Sequence, residues 1–245
     1  ASLPGSVPKL RSFILDQAVR GNLTADWRRE HPEVEPASVL LERIREEKRQ
    51  LMSEGKIKKQ KELPPMNPEE APFAVPESWE WVRLGDLAEY IQRGKGPKYS
   101  DTPGVRVISQ KCVRWNGLDI LPARFVTQDS ILSYANERWL QANDLLWNST
   151  GTGTIGRMCK VSRDQIDGFG PLVADSHVTV VRLLQVLPDY FLRFVQGPYV
   201  QDDFESNASG STNQIELATA TVRQFQVPTP PTDEQTEIVR RVNEL

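Results

Sequence analysis

The stretch GSTNQIELATATVRQFQVPTPPTDEQTEIVRRVNEL, residues 210–245, carries the clearest signals of local structure in this chain. It begins with a turn rich in hydroxyl and amide side chains, continues as a short strand that ends in prolines, and finishes with the first turns of a helix. Pro230 and Pro231 end the strand because proline cannot continue its hydrogen-bond ladder. Thr232, followed three residues later by Gln235, predicts that the helix begins with a capping box.

The same helix carries an apolar stripe at helical spacing, formed by Ile238, Val239, Val242 and Leu245. No helix-stop signal follows this stripe. We therefore expect either that the chain was cut at Leu245 or that a long helix continues there into a coiled coil. Residues 230–245 are predicted to be the start of that helix, and its uncovered stripe predicts self-association through a helix pair.

Two further helices are predicted in residues 1–62. Lys9–Arg20 has helical periodicity and precedes Gly21, a residue type that commonly ends helices. We expect its buried face to comprise Leu10, Phe13, Ile14 and Ala18. A second helix should follow Pro36 and end near Gly55, with an apolar face made of Leu40, Leu41, Ile44 and Leu51.

The chain then turns basic and afterwards rich in proline, in the stretch KIKKQKELPPMNPEEAPFAVP from Lys56 to Pro76. Such a composition resists regular structure, so we predict a proline-rich linker at residues 63–78. The composition changes again at Trp79. Residues 79–229 are predicted to form a globular domain.

Short segments rich in β-branched residues predict the strands of this domain. They begin at Trp81 and recur at Val105–Ser109, Arg124–Thr127, Asp144–Trp147, Ile155–Val161 and His177–Leu184. Predicted helices are a short one that Gly85-Asp86 opens, with Leu87, Tyr90 and Ile91, and longer ones at Ser130–Asn136 and at Pro188–Phe204, the last interrupted at Gly197-Pro198. The fold class is therefore α+β, a mixed globular domain of short twisted strands flanked by helices.

Composition excludes several function classes. The chain has 245 residues, 38% hydrophobic and 26% charged, and a net charge of −3. No apolar run reaches the roughly 20 residues that span a bilayer, so no membrane segment is predicted. The acidic balance argues against a generally basic nucleic-acid coat, and any DNA-binding face must be local. Cys112 and Cys159 lie in apolar segments and are interpreted as buried, reduced thiols of a cytoplasmic protein.

The usual enzyme motifs are missing. GTGTIG, Gly151–Gly156, resembles a dinucleotide fingerprint, but a strand rather than a helix is expected after it. There is no Walker sequence and no Asn-Pro-Pro-Tyr type of motif. His31 and His177 are the only histidines, and neither has further potential metal ligands near it in the sequence. Glu46 and Lys48 should lie on a solvated, charged helix face. We predict no catalytic residue, no metal and no cofactor for this chain.

Three polar loops remain as a candidate recognition surface. Gln92–Arg114 concentrates cations beside glycines, Asn148–Arg157 alternates hydroxyls with glycines, and Ser206–Gln214 is similar. Cations suit phosphates, and amide and guanidinium groups suit base edges. The candidate DNA contacts are Gln92, Arg93, Lys95, Lys98, Tyr99, Gln110, Lys111, Arg114, Asn148, Ser149, Thr150, Gly151, Thr152, Thr154, Arg157, His177, Ser211, Thr212 and Asn213. Ordinary solvated loops are the alternative interpretation.

Four segments, in this order, resemble the specificity subunit of type I restriction–modification systems. The first three are LRSFILDQAVRGNLTADWR (Leu10–Arg28), WEWVRLGDL (Trp79–Leu87) and NDLLWNSTGTGTIGR (Asn143–Arg157). The fourth lies within the stretch 210–245 and consists of GSTNQIEL followed by VPTPPTDEQTEIVRRV. The likeness extends from about Val7 to Leu245. Each piece alone is weak, but their combination is specific. The loop at Gln92–Arg114 is only generally similar.

The resemblance implies a division of labour. A specificity subunit has no catalysis of its own and reads a bipartite site in double-stranded DNA through two target recognition domains, held apart by conserved helices. Modification subunits dock on those helices and bind S-adenosylmethionine, and restriction subunits that use ATP join the assembly. This chain holds one recognition domain, residues 79–229, so it corresponds to one half of a specificity subunit.

Two other function classes stay open at this point. The chain could be a DNA methyltransferase or nuclease whose motifs are not recognised. It could also be an adaptor that does not bind DNA, in which the helices bind partners and the loops are inert. Affinity for S-adenosylmethionine would favour the first alternative, and the chemistry of the three loops stands against the second.

Overall fold

The computed structural model describes residues 6–64, 66–151, 153–209 and 216–244. Ten α-helices lie in these ranges: α1 (Ser6–Val19), α2 (Ala25–Glu30), α3 (Ala37–Ser53), α4 (Leu84–Leu87), α5 (Gln128–Ile131), α6 (Arg163–Phe169), α7 (Pro188–Gln196), α8 (Pro198–Ser209), α9 (Thr219–Gln224) and α10 (Thr232–Glu244). The strands in these ranges are β1 (Glu80–Arg83), β2 (Ala88–Arg93), β3 (Tyr99–Ser100), β4 (Arg106–Ile108), β5 (Val113–Arg114), β6 (Gly117–Leu118), β7 (Arg124–Val126), β8 (Leu145–Asn148), β9 (Met158–Lys160), β10 (Leu172–Ala174), β11 (Val178–Leu183) and β12 (Gln226–Thr229). The α+β class is thereby confirmed.

The described residues form two compact units. The first, here called the helical unit, takes its residues from 1–89, 183–202 and 223–245, and the second, the sheet unit, from 90–182 and 203–222. The chain therefore passes from one unit to the other four times. Compactness is a different criterion from function, so the predicted functional boundaries at residues 62, 78 and 229 stay a prediction.

The helical unit is built on α7 and α10. Helix α10 packs against α7 and α1, and Ile238 of its predicted stripe is fully buried. Val239 and Val242 are half-buried, and Leu245 lies outside the described residues. A two-stranded antiparallel sheet accompanies the helices, because β1 pairs with β12 so that Trp81 lies opposite Pro228. The predicted strand before the prolines is therefore confirmed.

The predicted face of α1 is wrong at Leu10 and Phe13, although Ala18 is buried as predicted. The helix buries Leu15, Ala18 and Val19, whereas Leu10 and Phe13 are 59% and 61% exposed. The sequence of α1 contains two apolar stripes at helical spacing, and a helix at the surface of a unit presents only one side to its neighbours. Contacts with α7 and α10, which are distant in sequence, decide which stripe is buried.

The predicted capping box at α10 is also wrong. Thr232 is already helical. The side chain of Gln235 is fully buried: its Oε1 accepts from the backbone N–H of Leu187 at 2.8 Å, and its Nε2 donates to the carbonyl of Pro230 at 2.9 Å. Gln235 thus links the start of α10 to the start of α7, because a buried amide must find partners wherever the fold offers them.

Helix α3 follows the prediction and buries Leu40, Leu41 and Ile44. Lys48, however, does not lie on a solvated face. Its Nζ donates to the carbonyl of Gly85 at 2.6 Å and to Oε1 of Gln60 at 3.2 Å. Burial lowers the pKa of this ammonium group to about 8.

The sheet unit contains two four-stranded sheets and the β5-β6 hairpin. The strand orders are β2-β11-β8-β9 and β10-β4-β7-β3. Side chains from both sheets share one core that includes Ile108, Leu146 and Val178. Cys112 and Cys159 are free and buried in that core, as predicted.

Three local predictions for residues 79–229 need correction. Tyr90 and Ile91 belong to β2 rather than to a helix, and Ile155 lies in a turn before β9. Helix α5 covers Gln128–Ile131, which is shorter than predicted. The interruption at Gly197-Pro198 is confirmed, because it separates α7 from α8. Throughout the described ranges, no helix is long and apolar enough to cross a membrane.

Candidate nucleic-acid interface

Strand ends bring parts of the first two predicted loops together at one edge of the sheet unit. Of the third, residues 206–209 belong to α8 and residues 210–214 lie outside the described residues. Strand β8 ends at Asn148, opposite Val178 at the start of β11. Strand β10 runs parallel to β4, so that Ala174 and Ile108 end side by side. Strand β2 ends at Arg93. We use the name loop edge for the segments at these strand ends, which are Arg93–Lys95, Ser109–Lys111, Asn148–Arg157 and Asp175–His177.

Backbone hydrogen bonds join these segments around Asp175–His177. Gly94 N–H donates to Val178 O at 2.9 Å, Lys95 N–H donates to Ala174 O at 3.1 Å, and Ser149 N–H donates to His177 O at 2.9 Å. Asp175 N–H donates to the carbonyl of Ile108 at 3.0 Å. Segments far apart in sequence are therefore held in one arrangement by the backbone itself.

The turn Asn148–Arg157 makes side-chain bonds to its neighbours. Thr154 Oγ1 donates to Oε1 of Gln110 at 3.3 Å, and Asn148 Nδ2 donates to the carbonyl of Gln110 at 3.1 Å. At the exposed surface, Thr150 Oγ1 and His177 Nδ1 are 2.7 Å apart. Gln110, Thr150, Thr154 and His177, all predicted contacts, thus lie together.

Two predicted contacts in this turn do not face solvent. Asn148 and Ser149 are fully buried, and the Ser149 hydroxyl is bonded to the hydroxyl of Thr179. Their side chains support the turn from below. Among the described residues, Asn148 Oδ1 is a buried acceptor that has no hydrogen-bond partner.

Arg93 and Gly94 also have a structural task. The Arg93 guanidinium donates from Nε to the carbonyl of Ser176 at 2.8 Å and forms an ion pair with Glu216. A side chain at Gly94 would overlap the carbonyls of Ala174 and Asp175. The glycine is therefore required for close approach of two backbone segments.

The remaining cations are distributed unevenly. Lys95 Nζ donates to Ser133 Oγ at 2.6 Å, and Lys111 is exposed beside Gln110. Arg157 donates to the carbonyl of Gly153 at 2.7 Å. Three predicted contacts are exposed but are not part of the loop edge. Gln92 lies on β2, Arg114 lies on the β5-β6 hairpin, and Lys98 directly precedes β3.

Tyr99 and Lys98 are separated from the loop edge by the register of the second sheet. Tyr99 pairs with Val126, at the end of β7 opposite to the end beside Ile108. Its ring lies 3.7 Å from the guanidinium carbon of Arg124. Of the eight predicted contacts within Gln92–Arg114, the structure thus brings four to the loop edge, namely Arg93, Lys95, Gln110 and Lys111.

Predicted contacts at Thr152, Ser211, Thr212 and Asn213 lie outside the described residues. The chain is described again from Glu216, which pairs with Arg93. Leu217 N–H then donates to the carbonyl of Ser149 at 2.9 Å. Both residues therefore belong with the loop edge, although neither was among the contacts predicted from the sequence.

Asp175 is a further residue of the loop edge that was not predicted from the sequence. Its Oδ1 accepts from the N–H of His177 at 2.8 Å, an Asx-turn that the sequence Asp-Ser-His could have suggested. Burial raises the pKa of this carboxyl group, while the hydrogen bond from His177 opposes the rise. Within the described ranges, no three His, Cys, Asp or Glu side chains are grouped so that they could hold a metal ion.

Comparison with known proteins assigns this arrangement to a family. A sequence profile described as the type I restriction modification DNA specificity domain matches residues 76–245. The chain belongs to this family. The loop edge is thus part of a type I DNA specificity domain.

Curated relatives of this specificity domain come from Escherichia coli. The specificity subunit of type I restriction enzyme EcoAI is 52% identical over 86 residues, which are 35% of this chain and 14% of the relative. The EcoDI specificity subunit is 25% identical over 246 residues, covering 99% of this chain and 47% of the relative. The chain thus spans less than half the length of these relatives.

Two solved structures share the fold. The HsdS subunit from Thermoanaerobacter tengcongensis matches with a TM-score of 0.51 and 18% identity, over 84% of this chain and 48% of that one. A chain from a study of complex assembly and conformational transition of the type I R-M system matches with a TM-score of 0.53 and 14% identity. This match covers 97% of the present chain and 50% of the other one. At these identities the likeness concerns the fold alone.

The two glycines of the turn provide a matched pair of substitutions. Gly151 and Gly153 have φ of +99° and +75°, so alanine at either position should cost about 1–2 kcal/mol of backbone strain. A side chain at Gly151 would in addition overlap Gln110 Oε1, whereas Gly153 has open space. We therefore expect Gly151→Ala to weaken DNA binding per folded molecule and Gly153→Ala to leave it unchanged.

The measurement is a DNA titration corrected for the folded fraction from a thermal melt. Equal loss of affinity in both variants would mean that the position of Gln110 is irrelevant to binding.

Proposed function

We propose that this chain reads the sequence of double-stranded DNA through the loop edge, as half of a type I specificity subunit. The observation that carries the proposal is the convergence of four polar segments at one edge of two sheets that share a core. Binding residues commonly lie on loops that a scaffold positions. Membership of a DNA specificity family supports DNA as the ligand.

The chemistry of the loop edge suits a division between phosphates and bases. Lys95 and Lys111 supply positive charges, which position a protein on the DNA backbone. Gln110 supplies an amide, which can form a bidentate pair with adenine in the major groove, and Thr150 with His177 supplies a hydroxyl and a ring nitrogen. Amide, hydroxyl and ring-nitrogen groups can discriminate base edges by hydrogen bonding.

The charge of the sheet unit favours local over general attraction. The unit carries twelve Lys and Arg against eleven Asp and Glu. Near-neutral proteins attract DNA weakly at long range. Affinity should therefore depend on a few placed cations and on readout groups beside them.

The proposal includes the division of labour that the family suggests. The chain itself carries out no catalysis and binds no cofactor. Modification subunits with S-adenosylmethionine and restriction subunits with ATP would supply the chemistry in the cytoplasm. Transfer of labelled methyl groups to DNA by the purified chain alone would contradict this part.

One recognition unit reads one half of a bipartite target, and a second unit is needed for the other half. We propose that the half-buried valines Val239 and Val242 of α10 contribute to self-association or to docking of the modification subunit. Sedimentation at rising concentration tests the first, and co-sedimentation with the modification subunit tests the second. A chain that stays monomeric and does not bind the modification subunit would contradict both proposed roles of the valines.

Substitutions at the loop edge test the reading function. We expect Gln110→Ala to reduce the preference for the target over random duplex by about 1–3 kcal/mol, the usual worth of a bidentate base contact. Lys95→Ala and Lys111→Ala should each weaken target and random duplexes alike and lower the slope of log affinity against log salt by about one unit.

The target is first selected from random duplexes with the chain and its modification subunit together. Lys98→Ala, an exposed lysine away from the loop edge, is the matched control and should leave both quantities unchanged. A selection without enrichment, or a Gln110→Ala variant with intact preference, would speak against base reading at this edge.

A further inference from the structure

Thr150 and His177 of the loop edge form a side-chain pair at the exposed surface. Thr150 Oγ1 lies 2.7 Å from His177 Nδ1, the imidazole is exposed, and Thr150 is half-buried. In the described part of the chain, no hydrogen bond reaches His177 Nε2, and the Thr150 hydroxyl has no second partner. One ring nitrogen is therefore held by the protein, and the other remains available to a ligand.

The backbone beneath this pair is fixed by hydrogen bonds on both sides of His177. Its N–H donates to Oδ1 of Asp175 at 2.8 Å, and its carbonyl accepts from the N–H of Ser149 at 2.9 Å. Asp175 is itself buried. Because Thr150 directly follows Ser149, one segment contacts His177 through both its backbone and its side chain. The place of the ring then depends only on rotation about two side-chain bonds, which the contact with Thr150 restrains.

The same turn connects His177 to Gln110. The Thr154 hydroxyl lies 3.3 Å from the carbonyl of Thr150 and 3.3 Å from Oε1 of Gln110. Gln110 and His177 therefore contact one turn through two different threonine hydroxyl groups. Amide and imidazole groups can both form hydrogen bonds with base edges. The loop edge thus holds two candidate base contacts, each positioned by a threonine.

The protonation form of the imidazole decides whether Nε2 donates or accepts. If the Thr150 hydroxyl donates to Nδ1, the ring proton lies on Nε2, and in the imidazolium both nitrogens carry protons. Only the neutral form with its proton on Nδ1 makes Nε2 an acceptor. The Asp175 carboxylate attracts positive charge on the ring, and the negative potential of DNA disfavours a lone pair directed towards it. We therefore expect Nε2 to donate.

We propose that His177 is a specificity-determining residue whose Nε2 donates to N7 of a purine in the major groove, with Thr150 as its positioning residue. This role rests on the proposed function, because it requires that the loop edge enters the groove of a DNA duplex. Major-groove acceptors are N7 of adenine, N7 and O6 of guanine, and O4 of thymine. Three of these four acceptors belong to purines, and both purines share N7. A single donor to N7 distinguishes a purine from a pyrimidine.

The test uses the whole chain with its modification subunit, bound to the target that selection from random duplexes provides. Each purine of the target is replaced in turn by its 7-deaza analogue, which has a C–H group in place of N7. At one position the unmodified chain should lose about 3- to 10-fold in affinity, the usual worth of one hydrogen bond. His177→Ala should bind the natural target about 3- to 10-fold more weakly and should show no further loss at that position.

Two pairs of variants control for indirect effects. Gln110→Ala and His31→Ala, which changes the other histidine of the chain, should both keep the loss at that position. Thr150→Val removes the hydroxyl at nearly constant shape and should reduce the loss, whereas Thr150→Ser keeps the hydroxyl and should retain it. Affinities are compared per folded molecule, with the folded fraction taken from a thermal melt.

Nitrogen chemical shifts of the two histidines, measured by NMR on the whole chain, give a readout that does not involve DNA. His31 Nδ1 lies 2.8 Å from the carbonyl of Trp27, and a carbonyl can only accept, so the neutral His31 ring carries its proton on Nδ1. His177 should differ from this internal reference by carrying a proton on Nε2. Thr150→Val should change the shift of His177 Nδ1, and Thr150→Ser should preserve it.

The outcomes separate the role of His177 from the reading function. A neutral His177 ring with its proton on Nδ1 overturns the proposal, as does a target in which no 7-deaza position depends on His177. If such positions depend on Gln110 alone, the reading function stands and only the role of His177 fails. A His177-dependent preference for thymine assigns the contact to O4 and overturns the assignment to a purine. A selection that yields no target removes the reading function, and this role with it.

Discussion

Replacing Glu234 by alanine is expected to lower the free energy of unfolding of the helical unit by about 3–5 kcal/mol. The Glu234 carboxylate is fully buried and pairs with Arg28. It accepts from Thr24 Oγ1 at 2.6 Å and from Trp79 Nε1 at 2.8 Å. Alanine would leave a guanidinium, a hydroxyl and an indole N–H without their acceptor, and such groups are costly when buried.

Urea denaturation followed by tryptophan fluorescence measures this loss. Asp233→Ala is the matched control, since Asp233 is exposed in the same first turn of α10, and it should change stability by at most about 0.5–1 kcal/mol. Thr24 and Trp79 donate to different oxygens of the carboxylate. Glu234→Gln keeps one acceptor oxygen for one of these two donors, and its stability should lie between those of the two alanine variants. Equal stability of Glu234→Ala and Asp233→Ala would refute the buried network.

The second large effect is expected at Asp144 in the sheet unit. The Asp144 carboxylate is fully buried and receives two parallel bonds from Arg182, Nε to Oδ1 at 2.7 Å and Nη2 to Oδ2 at 2.8 Å. It also accepts from the N–H of Gln141 at 2.8 Å. Asp144→Ala should destabilise the unit by about 3–5 kcal/mol, because Arg182 then loses its carboxylate in a largely buried setting.

A double-mutant cycle separates the pair from its surroundings. Arg182→Met together with Asp144→Ala should be less destabilising than the sum of the two single changes, since no charge is left buried alone. Arg163→Met changes an arginine that lies outside this pair and serves as the control. Additive losses in the cycle would mean that the two side chains act independently.

Local signals predicted those parts of the fold that local physics determines. Prolines at residues 230 and 231 separate β12 from α10, and a proline helps to divide α7 from α8, since it cannot continue a helical ladder. The approximate positions of β4, β7, β8, β9 and β11 followed from β-branched composition, whereas β2 was predicted as a helix and β10 was not predicted. These features need no knowledge of distant residues.

Distant contacts decided the rest. Whether α1 buries Leu10 or Leu15 depends on α7 and α10, and the partners of Gln235 come from Leu187 and Pro230. The loop edge exists because β10 pairs in parallel with β4, about 66 residues earlier. No periodicity within either strand contains that register.

Residue composition pointed to the correct loops but not to the tasks of their members. Ser149 and Asn148 have the residue types of surface contacts and are buried beneath the turn. Arg93 has the residue type of a base contact, but its guanidinium group donates to the carbonyl of Ser176 and forms an ion pair with Glu216. Side-chain chemistry is the same in both settings, and only the surrounding structure distinguishes a supporting bond from an available donor.

The four passages of the chain between the two units have a consequence for exchange of this domain between relatives. A transplant of residues 90–182 alone would carry Arg93 and Ser149 into a host that still supplies its own residues 203–222. Arg93 would then meet a foreign residue in place of Glu216, and Ser149 a foreign backbone in place of Leu217. A recombinant must inherit both segments together to keep the Arg93–Glu216 ion pair and the hydrogen bond from Leu217 N–H to Ser149.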